Sequence, residues 1–275
     1  MLEDVRLLSA GFCLHPEFMS IRGGGWKPCR FPAGFVYLRH SRFGHVLFDA
    51  GYSDHFRKET ASFPNLLYAK LMPPHFEAAD RACDQIERMG VCASEVGMVV
   101  LSHFHADHIA GLRDFPKARI VASRSGYAAM RKARGIAGLL NGLLPGLMPA
   151  DADDRMRFID AFAATTLPHA LGEFGQARDL FGDGSALLVD LPGHSIGQIG
   201  LYLPETPQGA LFLVADAAWS LDAIADLRPP PRLVTAMLGE TGAYRRTLEH
   251  LHRLRQTMPN LAIRPAHWRH EVQAL

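Results

Sequence analysis

The sequence predicts an α/β fold of the mixed α+β kind, in which short apolar strands alternate with helices. Short apolar runs typical of buried strands recur in both halves of the chain, and stretches with helical spacing of apolar residues lie between them. In addition, a histidine or an aspartate follows closely after several of these runs. The pattern therefore predicts a polar site built at the strand ends as well as a fold class.

The individual elements follow from periodicity and turn residues. The first 50 residues or so predict strands, including a hairpin with a turn at 41–44. Helical spacing predicts helices over 75–90 and 243–257, and a further helix that opens at Asp107. The strands predicted from apolar runs are 35–40, 45–48, 96–101, 119–122, 185–191, 198–203, 210–215 and 261–263. No linker divides the chain, so we expect a single domain over residues 1–275.

The segment from His103 to His108 reads HFHADH and directly follows the predicted strand 96–101. Three imidazoles and one carboxylate thus lie close together at a strand end. Such groups bind zinc, and they also bind iron, manganese or cobalt. The segment contains no cysteine, which excludes a thiolate site there. We interpret it as half of a two-metal site rather than as a loop of exposed histidines.

Three later strand ends each deliver one more candidate ligand. The strand 185–191 leads through a Pro-Gly turn to His194, the strand 210–215 ends at Asp216, and the last strand leads to His267. Polar groups at the ends of buried strands form a rigid site. The full set of predicted metal ligands is His103, His105, Asp107, His108, His194, Asp216 and His267.

The order HxHxDH, PGH, Ala-Asp at a strand end and a C-terminal histidine resembles the metallo-β-lactamase superfamily, from Phe48 to His267. The resemblance implies an αββα sandwich, two mixed β-sheets flanked by helices, with two divalent metal ions between the sheet edges. By resemblance, one metal is held by His103, His105 and His194, the other by Asp107, His108 and His267, and Asp216 bridges them.

Asp49 follows the predicted strand 45–48. The resemblance implies that it hydrogen-bonds a ligand histidine, and a ligating imidazole does need an acceptor for its other N–H group. The alternative interpretation is an ordinary turn residue.

The ligand set predicts a metal-dependent hydrolase, closest in motif spacing to the quorum-sensing N-acyl homoserine lactonase branch. The expected substrate is a small carboxylic ester or lactone with an apolar tail. The expected nucleophile is a hydroxide bridging two metals, with Asp107 or Asp216 as catalytic proton carrier. Alternatives are a glyoxalase II-like thioesterase or another metallohydrolase. From other classes, a mononuclear iron oxygenase and a non-catalytic binding module remain open.

The segment 126–182 departs from the strand–helix alternation, and we expect it to border the active site. Within it, 136–148 is apolar, rich in glycine and broken by proline. This stretch predicts a lid or acyl-binding wall that includes Leu140 and Leu143, or a loop packed on the core, a homodimer interface or a membrane contact.

Three further residues are candidates for substrate contacts: Trp219, Trp26 and His169. Trp219 stands three residues after Asp216, where the lactonase branch commonly has tyrosine. An indole donates a hydrogen bond but cannot act as a phenol, so the difference bears on lactonase activity. Core packing of Trp219 and an exposed loop around Trp26 are the alternatives.

Composition sets limits on function. The chain has 275 residues, 48% hydrophobic, and a net charge of +1, which argues against broad nucleic-acid binding. Its four cysteines have no CxxC spacing and predict reduced thiols in a cytoplasmic protein. The N-terminus lacks the long apolar run of a signal peptide, and no apolar stretch is long enough to predict a membrane span.

Overall fold

The computed structural model describes residues 1–267. Its strands are β1 (Leu2–Pro16), β2 (Pro28–His40), β3 (Gly44–Phe48), β4 (Pro74–His75), β5 (Val96–Val100), β6 (Arg119–Ala122), β7 (Met156–Phe158), β8 (Ala163–Thr166), β9 (Gln176–Asp179), β10 (Leu187–Asp190), β11 (Ile199–Leu203), β12 (Leu211–Ala215) and β13 (Ala262–Pro265). Its α-helices are α1 (Asp54–Glu59), α2 (Leu66–Leu71), α3 (Ala82–Arg88), α4 (Ala106–Ile109), α5 (Arg124–Lys132), α6 (Gly135–Leu140), α7 (Ala152–Arg155), α8 (Leu221–Ala225), α9 (Arg232–Leu238) and α10 (Thr241–Thr257).

Two mixed sheets form the centre of the molecule. Within residues 1–267, one sheet has seven strands in the order β4-β1-β2-β3-β5-β6-β7, and the other has six in the order β13-β12-β11-β10-β9-β8. In the first sheet, β3, β5, β6 and β7 run parallel, whereas β4, β1, β2 and β3 pair antiparallel. The second sheet is antiparallel except for the β12–β13 pair. The predicted pair of mixed sheets is confirmed.

Alternating side chains along the strands separate the core into layers. On β2, Val36 and Leu38 face the space between the sheets and share a core cluster with Leu188 of β10. Their neighbours Phe35 and Tyr37 point the other way and pack with the helices that cover the first sheet. A third cluster joins the outer face of the second sheet to α10. Because strand side chains alternate between faces, buried strands of this kind build an αββα sandwich.

The helix predicted over 75–90 is wrong at its beginning. Residues Pro74–His75 instead pair with β1 as a short strand, and α3 begins only at Ala82. Phe76 and Ile86 are buried in the same core cluster on either side of the intervening turn. Ala82 and Ile86 do share the buried face of α3, whereas Ala78 and Ala79, which extend the predicted spacing, are exposed. The helix predicted over 243–257 lies within α10, whose first turn is capped by the carboxylate of Glu240.

The segment 126–182 has two structurally different parts. Its first part continues α5 and forms α6, and Leu143, in the turn after α6, forms an isolated backbone bridge with His105 of the HFHADH loop. Its second part adds β7 to the first sheet and β8 and β9 to the second. Only the first part therefore reaches the site, whereas the second extends the sheet edges. Among the described helices, none combines the length and apolarity needed to cross a bilayer.

Candidate metal centre

The seven predicted ligand side chains meet at one edge of the sandwich. They come from the loops after β5, β10 and β13 and from the end of β12. His103, His105, His194 and Asp216 form one group, and Asp107, His108 and His267 form another; within each group the ligand atoms lie within 4.8 Å of one another. All of them are buried except Asp107, which is partly exposed.

The first group has the spacing of ligands around a single ion. Nδ1 of His105 lies 3.0 Å from Nε2 of His103 and 2.9 Å from Nε2 of His194. Nitrogens bound to one tetrahedral zinc lie about 3.3 Å apart, since Zn–N bonds are about 2.0 Å long. Burial lowers the pKa of His103 and His194 well below the usual value, and burial also lowers that of His105. The imidazoles are thus held neutral, the form that binds metal.

The carboxylate of Asp216, a member of the first group, also lies close to the histidines of the second group. Asp216 Oδ2 lies 3.3 Å from Nε2 of both His194 and His267, and its Oδ1 lies 3.5 Å from His108 Nε2. Asp107 Oδ2 lies 3.6 Å from His108 Nε2. Although burial opposes the charge, the carboxylates of Asp107, Asp49 and Asp216 raise the pKa of His108 well above its usual value. In the absence of a metal, this pocket therefore attracts positive charge.

Two buried polar atoms support metal binding independently of the resemblance. His108 Nε2 and Asp216 Oδ1 have no hydrogen-bond partner within residues 1–267. Buried polar atoms in native proteins nearly always have a partner, which can be an ion. Five imidazoles and two carboxylates form a donor set that suits zinc and related divalent ions. The residues present thus fit two metal ions.

A carboxylate and a hydroxyl orient one histidine from each group. Asp49 accepts hydrogen bonds from the Ser102 backbone N–H at 2.7 Å, the Ser102 hydroxyl at 2.7 Å and His108 Nδ1 at 2.8 Å. Ser102 Oγ in turn lies 3.0 Å from His103 Nδ1. Asp49 therefore does contact a candidate ligand. It is also a turn residue with a φ of +64°, an uncommon conformation for a residue other than glycine. Ser102 was missed because nothing in its local sequence distinguishes it from the end of an apolar strand.

Backbone contacts fix two more ligands. Nδ1 of His267 donates to the carbonyl of Pro32 at 2.7 Å. Gly142, with a φ of +71°, lies so close to His105 that a Cβ atom there would be 2.7 Å from the ring Cδ2. Ala215, directly before Asp216, has a φ of +47°. Strained backbone of this kind is typical of functional sites.

A cavity of about 370 Å³ opens beside the two groups of candidate ligands. Its walls come from β1 and the turn after it, and from β2, α2, α6 and α9. They are mostly apolar and include Leu14, Met19, Phe31, Leu71, Leu139, Leu140, Met237 and Leu238. Trp219 also lines the cavity, with its ring 5.6 Å from that of His194 and 6.1 Å from that of His267. Leu143 lines a neighbouring cavity of about 400 Å³ that shares Leu238 with the first. The contribution of β1, α2 and α9 to the cavity could not be predicted from the sequence, because no motif links these elements to the ligands.

Trp26 and His169 lie outside this cavity. Trp26 is 81% exposed and packs on Phe18, with ring centroids 4.5 Å apart. His169 is exposed and begins a 3-10 turn that packs on α10. His169 lies away from the cavity because residues 151–182 build sheet edges rather than the site. Neither residue lines the cavity in this conformation, so contact with a substrate there stays a prediction.

The sandwich and its paired histidine–carboxylate groups define the class of αββα metalloproteins. The model of the Metallo-beta-lactamase superfamily matches residues 33–255, and the chain belongs to this superfamily. The predicted family is thereby confirmed, and with it the prediction of a metal-dependent hydrolase.

Known proteins similar to this chain include named lactonases. An N-acyl homoserine lactonase AttM of Azorhizobium caulinodans is 26% identical over 80% of this chain and 79% of its own length. A probable metallo-hydrolase of Mycobacterium tuberculosis is 43% identical over 48% of this chain and 40% of its own length. The structure of an N-acyl homoserine lactone hydrolase with the product N-hexanoyl-L-homoserine at its metal centre superposes with a TM-score of 0.70 at 18% identity, covering 100% of this chain and 97% of that one. At that identity, the likeness shows the fold.

Proposed function

We propose that the protein hydrolyses a carboxylic ester, most specifically a lactone with an apolar tail, with two divalent metal ions. One observation carries this proposal: seven candidate ligand side chains converge, and five of them line a largely apolar cavity, namely His105, Asp107, His194, Asp216 and His267. An apolar cavity with a few convergent polar groups is typical of a small-molecule site. The named activity of the AttM relative points to the same class of substrate.

The two groups of ligands would hold one ion each. His103, His105 and His194 would hold the first, Asp107, His108 and His267 the second, and Asp216 lies between them. Zinc suits these donors, as do iron, manganese and cobalt. Bound there, a pair of ions supplies an activated water and polarises the carbonyl group.

Asp107 is the better candidate to carry a proton to the leaving oxygen. Both side chains line the cavity, but that of Asp107 is 14% exposed whereas that of Asp216 is 3% exposed. Despite burial, the imidazoles of His267 and His108, whose own pKa values are raised, hold the pKa of Asp216 well below its usual range. Asp216 therefore stays ionised, which suits a group between two cations better than a proton carrier.

Trp219 and Leu140 would contact the substrate directly. The indole Nε1 of Trp219 is buried and has no partner among the residues that the structure describes. Because Trp219 lines the cavity beside His194 and His267, we propose that it donates a hydrogen bond to the substrate next to the scissile carbonyl. Leu140 is half exposed at the rim and would pack on the apolar tail.

Elemental analysis together with a substrate screen tests the proposal. Protein purified without added metal, and an Asp216→Ala variant, are assayed with lactones, aryl esters and thioesters. We expect two ions per wild-type chain and lactone turnover that falls by about a thousandfold in the variant, as when an interaction worth about 4 kcal/mol is lost.

Other outcomes of this screen would contradict the proposal. A preference for thioesters would favour a thioesterase. One iron per chain without turnover would indicate an oxygenase, and no bound metal would indicate a binding module.

A further inference from the structure

A histidine that belongs to neither metal group lies on the cavity wall. His15, near the end of β1, lines the cavity and is only 9% exposed. Its Nε2 atom is buried and has no hydrogen-bond partner anywhere in residues 1–267. An unpaired polar atom inside a protein costs stability, and the rest of the wall around it is largely apolar. The position of His15 therefore calls for a partner that the chain itself does not supply.

The surroundings of His15 separate it from the metal ligands. Its ring packs against Phe31, with the centroids 5.6 Å apart, and the ring of Phe31 lies equally close to His267 at 5.6 Å. His15 is thus in contact with an aromatic ring that also contacts a metal ligand, but it is absent from both groups of converging ligand atoms. A ligand bound at the metal centre would extend along this wall.

His15 is well suited to bind a neutral polar group. Burial, reinforced by the nearby His267, lowers the pKa of His15. A neutral imidazole offers one donor and one acceptor nitrogen. Aromatic packing on Phe31 alone could be provided equally well by an apolar side chain. What histidine adds to this wall is the capacity for hydrogen bonding.

We propose that His15 binds a hydrogen-bonding group in the acyl part of the substrate, such as an amide, and thereby selects acyl chains that carry this group over plain alkyl chains. The inference rests on the proposed function, because it assumes that an ester lies at the metal centre. It makes His15 a specificity residue of the cavity and leaves the chemistry to the metal groups.

The test compares two lactones in four proteins. N-hexanoyl homoserine lactone carries an amide, whereas γ-decalactone carries only an alkyl chain. The proteins are wild type, His15→Leu, His15→Gln, and His75→Leu as a control that removes an exposed histidine from neighbouring β4. In His15→Leu we expect kcat/KM for the amide substrate to fall about tenfold, mainly through KM, while that for γ-decalactone changes less than about twofold. Gln can place an amide nitrogen near the position of Nε2, so it should restore much of the loss.

A structural role would give a different pattern. Because leucine removes an unpaired buried polar atom, His15→Leu should melt at the same temperature as wild type or higher. Equal losses for both lactones, loss of bound metal, or no change for either lactone would overturn the role of His15.

Failure of the proposed function is recognised separately. If wild type hydrolyses neither lactone, the function is wrong, and the same two compounds are then compared by calorimetric binding to wild type and His15→Leu. A preference for the amide compound that the variant loses would still support His15. Equal binding of both compounds, or binding of neither, would overturn it.

Discussion

The metal centre and the cavity above it are built in opposite ways. The ligands stand at strand ends, are nearly all buried, and several are held by a second polar contact, as His108 is by Asp49. Much of the cavity wall comes from the short helices α2, α6 and α9, and Leu71, Leu140 and Met237 on them are 70%, 50% and 41% exposed. The positions of the ligand side chains are thus fixed by several contacts each, whereas the side chains of the cavity wall have fewer contacts. We infer that the chemistry is fixed by the strand ends around the ligands, and that substrate choice can vary on these helices and at the end of β1 that carries His15.

Among the variants that test this comparison, Asp49→Ala should have the largest effect, and the affected property is metal affinity. The variant removes the acceptor of three hydrogen bonds that orient His108 and Ser102. Loss of such a group typically lowers metal affinity about 10- to 100-fold. Titration with a competing chelator measures the affinity. Asp54→Ala, an aspartate with surface ion pairs, serves as the control. Equal metal affinity in wild type and Asp49→Ala would show that strand ends alone position the ligands.

Gly142→Ala should have an intermediate effect on metal content, because Gly142 lines the cavity and also contacts the candidate ligand His105. Both Gly142 and Gly90 have positive φ, but a Cβ at Gly90 meets nothing within 4 Å, whereas one at Gly142 would collide with His105. Each substitution should cost about 1 kcal/mol of folding stability. Only Gly142→Ala should also lower metal content and turnover. Parallel denaturation and metal analysis check this, and identical behaviour of both variants would rule out the contact with His105 as a constraint.

Leu140→Ala should have the smallest effect and leave the metal centre untouched. Leu140 lines the cavity and Ile136 does not, although both lie on α6 and are about half exposed. Losing the contact with a substrate tail should cost about 1 kcal/mol, or roughly a fivefold rise in KM for long-chain lactones. Short-chain lactones and the Ile136→Ala control should show no change. The check is KM measured across lactones of different chain length. The same KM values in Leu140→Ala and Ile136→Ala would contradict the interpretation of this segment as a lid or acyl-binding wall.

The sequence predicted the metal centre better than its surroundings for a physical reason. Ligand identity is local, since HFHADH and the polar residues after apolar strands can be recognised without knowing the contacts. The roles of Ser102, Gly142 and His15 depend on atoms that are distant along the chain, so their sequence context carried no signal. The same limit explains His169, whose segment builds a sheet edge instead of a cavity wall.

The hydrogen bond between His267 and Pro32 joins residues 235 positions apart in the sequence. Because a contact this distant closes a very long loop, its formation costs chain entropy that the rest of the fold has to offset. His103, His105 and His108 lie within six residues of one another, whereas His267 reaches Asp216 from the end of β13, which pairs with β12. Both groups of ligands are therefore complete only when strands from distant parts of the chain are in place, and we expect full metal loading to mark the folded protein.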